Sequence, residues 1–361
     1  MYNNFYEIHY VVIWILLVTT LLGYFSGNDF LIKNRQKKKK TEQYFLVLFF
    51  CIIIALFMGG RPPTENFGDT QLYVGSYENG ILPYENEPVF NAITRVCLYS
   101  RLSTFMYLTT IAFLYVFLPA IFLIKRTSQP WIGFLFFISS FSFLGYGVNG
   151  VRNGLATSLF ILSFCWIKDV KLGLNRLFVI LFISLLSIGI HRSLLLPSVC
   201  LLLSIYVVRD IKYAFLIWVL SIPISFLFGA SISSVFVDIG YDDRLEGYLA
   251  GDVNSHGFRW DFILYSIMPI LLGMILYKRK IKTDVLYNVM LKTYILCNAL
   301  WIIIIRANFS NRFAYLSWFL YPLMIYYPIF HFRIWKKQNR KCATILILYF
   351  AFTFVMYKLG K

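Results

Sequence analysis

Long apolar runs recur along this 361-residue chain, and short basic segments separate them. A run of about 18 or more apolar residues is long enough for a helix to cross the hydrocarbon core of a bilayer. The chain is therefore predicted to be all-α, a polytopic membrane helix bundle of about 12 transmembrane helices. The predicted spans are residues 9–25, 44–59, 104–124, 131–148, 153–167, 176–190, 193–208, 213–229, 260–277, 284–305, 313–332 and 342–357.

The composition leaves no room for a separate soluble domain. Hydrophobic residues make up 59% of the chain, charged residues 14%, and the mean hydropathy is +0.68. Residues 1–361 are expected to form a single integral membrane domain with two long outer loops, at about 60–103 and 230–259. The net charge of +17 does not indicate a nucleic-acid partner, because the excess sits in short loops and forms no basic stripe on a soluble face.

The basic loops set the predicted orientation, since Lys and Arg accumulate on the cytoplasmic side of a membrane. With the N-terminus outside, every second loop is basic. The difficult segment is 176–208, which would be about 50 Å long as a single helix, against a bilayer core of about 30 Å. We therefore expect two short helices, with His191 and Arg192 at a turn between them.

Apart from Lys358 and Lys361 at the C-terminus, the basic residues on the predicted outer side are all arginine, whereas the inner loops favour lysine. A topology signal does not distinguish the two cations, but bidentate binding of phosphate or carboxylate requires the planar guanidinium. The outer arginines therefore indicate a bound anion. They are Arg61, Arg95, Arg101, Arg152, Arg192, Arg244, Arg259, Arg306 and Arg312.

These arginines fall into three groups. Arg152, Arg192, Arg306 and Arg312 lie in tight turns at span ends, where a charge at bilayer depth needs a partner, and ligand contact is favoured for them. The loop residues Arg95, Arg101, Arg244 and Arg259 have acidic neighbours, and ordinary surface pairing is favoured. Arg61 precedes Pro62-Pro63, so a helix-stop role and a ligand role are both open.

Two further residues, Asp69 and His191, each have two possible roles. Asp69 either deprotonates a substrate hydroxyl or pairs with an outer arginine. His191 is either a site residue or a satisfied buried histidine. Asp242 and Asp243 are read as solvated loop charge, because no third ligand follows at metal-binding spacing, and neither a metal nor another cofactor is expected.

Four short motifs occur in order along the chain. They are Arg61-Pro-Pro to Gly68-Asp-Thr-Gln-Leu-Tyr73, Asn149-Gly-Val-Arg152-Asn153-Gly-Leu-Ala156, Gly189-Ile-His-Arg-Ser193 and Asn311-Arg-Phe-Ala-Tyr315. In this order within a helical bundle, the chain resembles the EpsG/Wzy type of bacterial polysaccharide polymerase. The resemblance spans most of the chain. Family members often have glutamine where this chain has Asn153.

The resemblance implies a GT-C-like membrane glycosyltransferase in the bacterial cytoplasmic membrane, with its active site facing the exterior. It would join undecaprenyl-pyrophosphate-linked repeat units into capsule, exopolysaccharide or O-antigen chains, alongside chain-length regulator and flippase proteins. On this reading the arginines hold the pyrophosphate and the aromatic residues Tyr73, Tyr77, Tyr84, Tyr241 and Tyr248 stack on sugars, unless they form an interfacial belt. The predicted catalytic residues are Asp69, Arg152 and His191. The predicted substrate-binding residues are Arg61, Tyr73, Asn149, Asn153, Arg192, Arg306 and Arg312.

Two other classes of function remain open. A lipid-linked oligosaccharide flippase also needs cationic residues in a helix bundle, but it needs no base. An O-antigen ligase or a glycan acyltransferase would transfer to another acceptor without chain growth. The inner loops are too short for a nucleotide-sugar domain, which favours a donor delivered outside on a lipid carrier.

Overall fold

A computed structural model describes residues 2–25, 37–64, 67–82, 86–169, 171–238, 258–277, 284–305, 310–332, 334–335 and 338–359. Every regular element in these residues is a helix, which confirms the all-α prediction. The chain divides into two compact units. The first contains Met1–Trp166, Gly173–His191 and Tyr326–Lys361, and the second contains Ile167–Leu172 and Arg192–Ile325. The expectation of a single domain stays a prediction.

The first unit carries the N-terminal helices and the C-terminal helix. Prolines at the first helical turn mark the starts of α4 and α6, where a missing backbone N–H leaves no hydrogen bond unmade. The α-helices are α1 (Tyr2–Phe25), α2 (Lys37–Gly59), α3 (Thr70–Glu78), α4 (Pro88–Tyr99), α5 (Thr104–Arg126), α6 (Pro130–Ile138), α7 (Phe143–Val148), α8 (Val151–Ile161), α9 (Leu174–Ile190) and α16 (Gln338–Leu359).

The second unit contains five α-helices and the first part of a sixth, which continues into the first unit. The side chain of Asp284 marks one start, because it accepts a hydrogen bond of 2.7 Å from the backbone N–H of Tyr287. The α-helices are α10 (Leu195–Leu202), α11 (Ile211–Asp238), α12 (Trp260–Tyr277), α13 (Val285–Ile303), α14 (Ser310–Trp318) and α15 (Tyr321–His331).

Eight helical segments of the described chain are long and apolar enough to cross a membrane, which makes this a multi-pass membrane protein. The last but one spans α14 and α15 across a short turn. The count of about 12 spans stays a prediction. The eight are Phe5–Leu22, Thr41–Gly59, Thr104–Arg126, Ile211–Phe228, Trp260–Tyr277, Val285–Ile303, Arg312–His331 and Arg340–Leu359.

Two of the other predicted spans consist of short pieces. Residues 131–148 form α6 and α7 with a break between them, and residues 153–167 form most of α8 followed by a 3-10 turn, Leu162–Trp166. All nine residues of α6 are buried, as is most of α8. A broken helix is tolerated at membrane depth where protein surrounds it, because its free backbone groups do not face lipid.

The predicted break near His191 is present. Helix α9 ends at Ile190, His191 has an extended backbone with φ −153° and ψ 122°, and a 3-10 turn begins at Arg192. A single long helix through residues 176–208 is therefore excluded. The break places the His191 side chain at a helix end and not on a helical face.

Helix α13 forms the centre of the second unit, and its polar side chains are all used within the protein interior. Lys292 donates to the carbonyl of Ser204, inside the π-helical turn Leu203–Val207, and at 2.6 Å to the carbonyl of Val208, just after the turn. Asn298 accepts from Trp218 Nε1 at 2.9 Å. Such buried polar bonds fix which residues of neighbouring helices face each other.

Candidate functional site

Arg152 is the second residue of α8 and is only 5% exposed. Its NH1 group donates to Oε2 of Glu87, and its Nε donates to the hydroxyl of Tyr73 at 3.1 Å. A cation at a helix N-terminus faces the positive end of the helix dipole, and burial removes its hydration. The Glu87 carboxylate offsets both effects, which explains how the protein keeps this charge in its interior.

Glu87 directly precedes Pro88 at the start of α4, and its side chain is 9% exposed. The Oε2 atom accepts from Arg152, while Oε1 lies 4.0 Å from Nε2 of His191. The carboxylate therefore lies between a guanidinium and an imidazole. Two residues predicted to be catalytic, Arg152 and His191, are brought together through a carboxylate that was not predicted.

A sequence signal for Glu87 did exist. A carboxylate is a common partner for a buried arginine, and Glu87 occurs in the first long loop immediately before a proline that starts a helix. Several other acidic residues, among them Asp69 and Glu78, lie in the same loop. Their spacing along the chain does not distinguish among them, because the partner of Arg152 is 65 positions away.

Arg61 is also buried, at 3% exposure, but its partners are neutral. Its Nε donates to the hydroxyl of Thr70 at 2.9 Å, and its NH1 donates to the carbonyl of Met58 at 2.7 Å. Burial lowers the pKa of Arg61 to about 10, and nearby tyrosines partly oppose this shift. The group remains a cation at neutral pH. The geometry therefore fits a side chain that ties the end of α2 to the start of α3.

The Gly68-Asp-Thr motif is hydrogen-bonded to the turn between α7 and α8. The backbone N–H of Asp69 donates to Oδ1 of Asn149 at 3.2 Å, and the hydroxyl of Thr70 donates to the carbonyl of Val148 at 3.1 Å. Gly68 has a φ of +57°, and a Cβ atom there would lie 2.0 Å from Oδ1 of Asn149. Glycine adopts this conformation without strain, and any larger residue here would have to displace the Asn149 side chain. Two of the sequence motifs thus form one local structure.

Asp69 and Asn153 are predicted site residues whose side-chain oxygens accept no hydrogen bond from the described residues. The Asp69 carboxylate is half-buried and makes no hydrogen bond or ion pair with any described residue. Asn153 is 9% exposed, and among the described residues its buried Oδ1 has no hydrogen-bond donor. Buried polar atoms are nearly always satisfied, so an unsatisfied one in the residue that follows Arg152 calls for an explanation such as a ligand.

The tyrosines predicted to stack on sugars are placed differently. The hydroxyl of Tyr73 is used by Arg152, and the buried ring of Tyr77 stacks on Tyr107 with centroids 4.1 Å apart. The hydroxyl of Tyr77 donates to the carbonyl of Leu102 at 2.7 Å. Both rings are therefore part of the packed interior. Tyr84, Tyr241 and Tyr248 lie outside the described residues.

The predicted arginines other than Arg61 and Arg152 are at least partly exposed or lie outside the described residues. Arg192 and Arg312 are exposed residues of the second unit, and Arg306 lies outside the described residues. Their joint action on a pyrophosphate stays a prediction. Arg95 and Arg101 are exposed, and Arg259 forms an ion pair of 2.7 Å with Asp261, as expected for surface pairing. Arg244, Asp242 and Asp243 lie outside the described residues.

The fold and this site together define a class: a multi-pass membrane helix bundle in which buried Arg152 and Glu87 meet the partly exposed His191 where α4, α8 and α9 begin or end. The EpsG family model matches residues 44–360, nearly the whole chain. The chain therefore belongs to the EpsG family, as the motifs predicted, and is a membrane protein of the polysaccharide-polymerase type. No curated protein matches it, and no solved structure does.

Proposed function

We propose that this protein is a membrane glycosyltransferase that polymerises undecaprenyl-pyrophosphate-linked oligosaccharide repeat units. The reaction takes place at the outer face of the bacterial cytoplasmic membrane. Membership of the EpsG family and the multi-pass helical fold support the reaction class. The observation that carries the proposal is the group formed by buried Arg152, buried Glu87 and the partly exposed His191.

Each chemical need of the reaction has a candidate residue. The growing or incoming glycan must lose a hydroxyl proton, for which Asp69 and His191 are the candidate bases. The leaving pyrophosphate gains negative charge, which Arg152 in the first unit and Arg192, Arg306 and Arg312 by their sequence context are proposed to stabilise. The Asn153 amide is suited to a sugar hydroxyl, because its oxygen accepts a hydrogen bond that the described protein does not supply.

The test is genetic and uses polymer length as its readout. In a strain lacking the chromosomal gene, the wild-type protein should restore long polymer. Arg152→Lys keeps the charge but loses the planar guanidinium, whose separate nitrogens donate to Glu87 and Tyr73, so single repeat units should persist while long chains disappear. Arg95→Lys is the matched control at an exposed arginine and should leave the polymer unchanged.

Other outcomes would indicate the other functions. Accumulation of repeat units on the inner leaflet of the deletion strain would indicate a flippase. Transfer of single repeats to a different acceptor, without chain growth, would indicate a ligase. Unchanged polymer with Arg152→Lys, at equal protein level, would refute the role assigned to Arg152.

A further inference from the structure

We propose that Glu87 is a positioning residue that orients His191 as the base of the transfer reaction, in place of Asp69. This inference rests on the proposed glycosyltransferase function and assigns a residue that neither the motifs nor the family match names. Its basis is the arrangement of the Glu87 carboxylate, whose two oxygens face different groups. Oε2 accepts from Arg152, and Oε1 faces Nε2 of His191 at 4.0 Å.

Arg152 keeps the Glu87 carboxylate both ionised and fixed. A buried carboxylate without a cation partner tends to take up a proton, whereas a guanidinium in contact favours the charged form. Arg152 is in turn held by Tyr73, whose hydroxyl accepts from Nε. The chain of contacts from Tyr73 through Arg152 to Glu87 thus presents one anionic oxygen to the imidazole in a set direction.

His191 is the member of this group that a substrate can reach. Its side chain is 19% exposed, compared with 6% for Arg152 and 9% for Glu87. It follows the last residue of α9, where its extended backbone turns the ring away from the helix, and its own N–H is anchored to the carbonyl of Ser187 at 3.0 Å. We assign Nε2 as the nitrogen that donates to Glu87 in the reacting state, and Nδ1 as the nitrogen that takes the proton from the substrate.

No described residue orients the Asp69 carboxylate in the way that Glu87 orients His191. The backbone N–H of Asp69 is held by Asn149, but its carboxylate has no hydrogen bond or ion pair with a described residue that would fix its direction. A base works best when a third group orients it, as a carboxylate does for a histidine in hydrolase triads. The separation of 4.0 Å exceeds a hydrogen bond, and contacts of this kind commonly shorten when substrate binds.

The proposed step is balanced as follows. The acceptor hydroxyl attacks the anomeric carbon of the lipid-linked glycan, and its proton passes to Nδ1 of His191 as the new carbon–oxygen bond forms. The bond from the anomeric carbon to the pyrophosphate oxygen breaks, and its electron pair leaves with the lipid pyrophosphate. The Glu87 carboxylate stabilises the imidazolium until it releases the proton to water. No metal, oxidant or further reactant enters the step.

The experiment uses the purified full-length protein in liposomes, with lipid-linked repeat units as substrate. Glu87→Gln should lower kcat by about 100-fold while KM changes by less than about threefold, because general-base catalysis is lost and substrate contacts are kept. Glu87→Asp keeps the charge and should recover part of kcat. Glu78→Gln removes an exposed carboxylate at the end of α3 that bonds only Thr104 among the described residues, and should behave as wild type.

A second variant separates catalysis from folding. His191→Gly should be nearly inactive, and added imidazole should restore part of its activity in the presence of Glu87 but not together with Glu87→Gln. If Glu87→Gln lowers the stability of the protein, this imidazole comparison at matched amounts of folded protein still tests whether Glu87 orients the base. Unchanged kcat in Glu87→Gln, or equal imidazole rescue with and without Glu87, would overturn the assignment of Glu87.

A failure of the proposed glycosyltransferase function would give different results from a failure of the role assigned to Glu87. If wild-type protein makes no glycosidic bond from lipid-linked repeats, the proposed function fails and this inference fails with it. If wild type is active and Asp69→Asn loses activity while His191→Gly retains it, the function stands and the base is Asp69. An active wild type that loses activity in both His191→Gly and Glu87→Gln, with imidazole rescue of the first, supports the inference.

Discussion

The hydroxyl of Tyr73 lies 3.1 Å from Nε of Arg152 and accepts its hydrogen, joining α3 to the start of α8 across 79 positions of sequence. The tyrosine is buried, so its hydroxyl has lost water in exchange for this bond. The contact links the two motifs that the sequence singled out and holds the guanidinium in place against Glu87.

Tyr73→Phe should destabilise the protein, because it leaves one donor of a buried guanidinium without its acceptor while keeping the ring. We expect a loss of about 1–3 kcal/mol and shorter polymer. Thermal unfolding in detergent measures the stability change. Tyr99→Phe is the matched control on α4, since Tyr99 is 87% exposed. Equal unfolding temperatures for the two variants would contradict the structural role of Tyr73.

Gly68→Ala should be the most damaging of three glycine substitutions in the first long loop. It places a side chain at a φ of +57°, at a cost of about 1–2 kcal/mol, and also displaces Asn149. Gly80→Ala has a similar φ of +65° but open space around it, and helical Gly75 has open space as well. Unfolding temperatures should rank Gly75→Ala highest, then Gly80→Ala, then Gly68→Ala. A Gly68→Ala protein as stable as Gly80→Ala would show that the close contact with Asn149 does not contribute to stability.

Lys292→Met should destabilise the second unit, because the carbonyls of Ser204 and Val208 would lose their buried donor. Each unsatisfied buried carbonyl costs about 1–3 kcal/mol. Lys212→Met, at an exposed lysine near the start of α11, is the control and should have little effect. Denaturation followed by tryptophan fluorescence reports the difference. Equal stability of the two variants would show that the π-helical turn does not depend on Lys292.

Arg61 should contribute no pH dependence to stability near neutrality. Burial lowers its pKa in the folded protein to about 10, below its value in the unfolded chain, so both states carry the proton at lower pH. The folded state binds fewer protons only above about pH 10, where stability attributable to this group rises with pH. The difference in unfolding temperature between wild type and Arg61→Met should therefore be constant from about pH 6 to about pH 9. A slope in that difference would indicate that Arg61 titrates in this range.

The helical framework was predictable because it depends on local sequence. Continuous apolar runs and basic loops between them predict membrane helices, and the excessive length of residues 176–208 predicts the break at His191. The break inside 131–148 was not predicted, because Ser139 to Ser142 interrupt an apolar run only slightly. Protein surrounds α6, and it is this tertiary burial, not the sequence of the segment, that allows a shorter helix there.

The candidate site was predictable only in part. Arg152, His191 and Asn153 were identified by residue type and position at helix ends, and the structure places Arg152 and His191 about a common carboxylate. That carboxylate, Glu87, was not identified, because an ion pair between distant residues depends on how α4 packs beside α8 and α9. The burial of Tyr73 was missed for the same reason, since an aromatic loop residue looks alike in sequence whether it meets a sugar or an arginine.

The most direct test of the proposed polymerase activity is to reconstitute the purified protein in liposomes containing undecaprenyl-pyrophosphate-linked repeat units and to resolve the products by size. We expect a ladder of products with wild type, a similar ladder with Arg95→Lys, and unextended single units with Arg152→Lys. The absence of a ladder with folded wild-type protein, or an undiminished ladder with Arg152→Lys, would contradict this expectation.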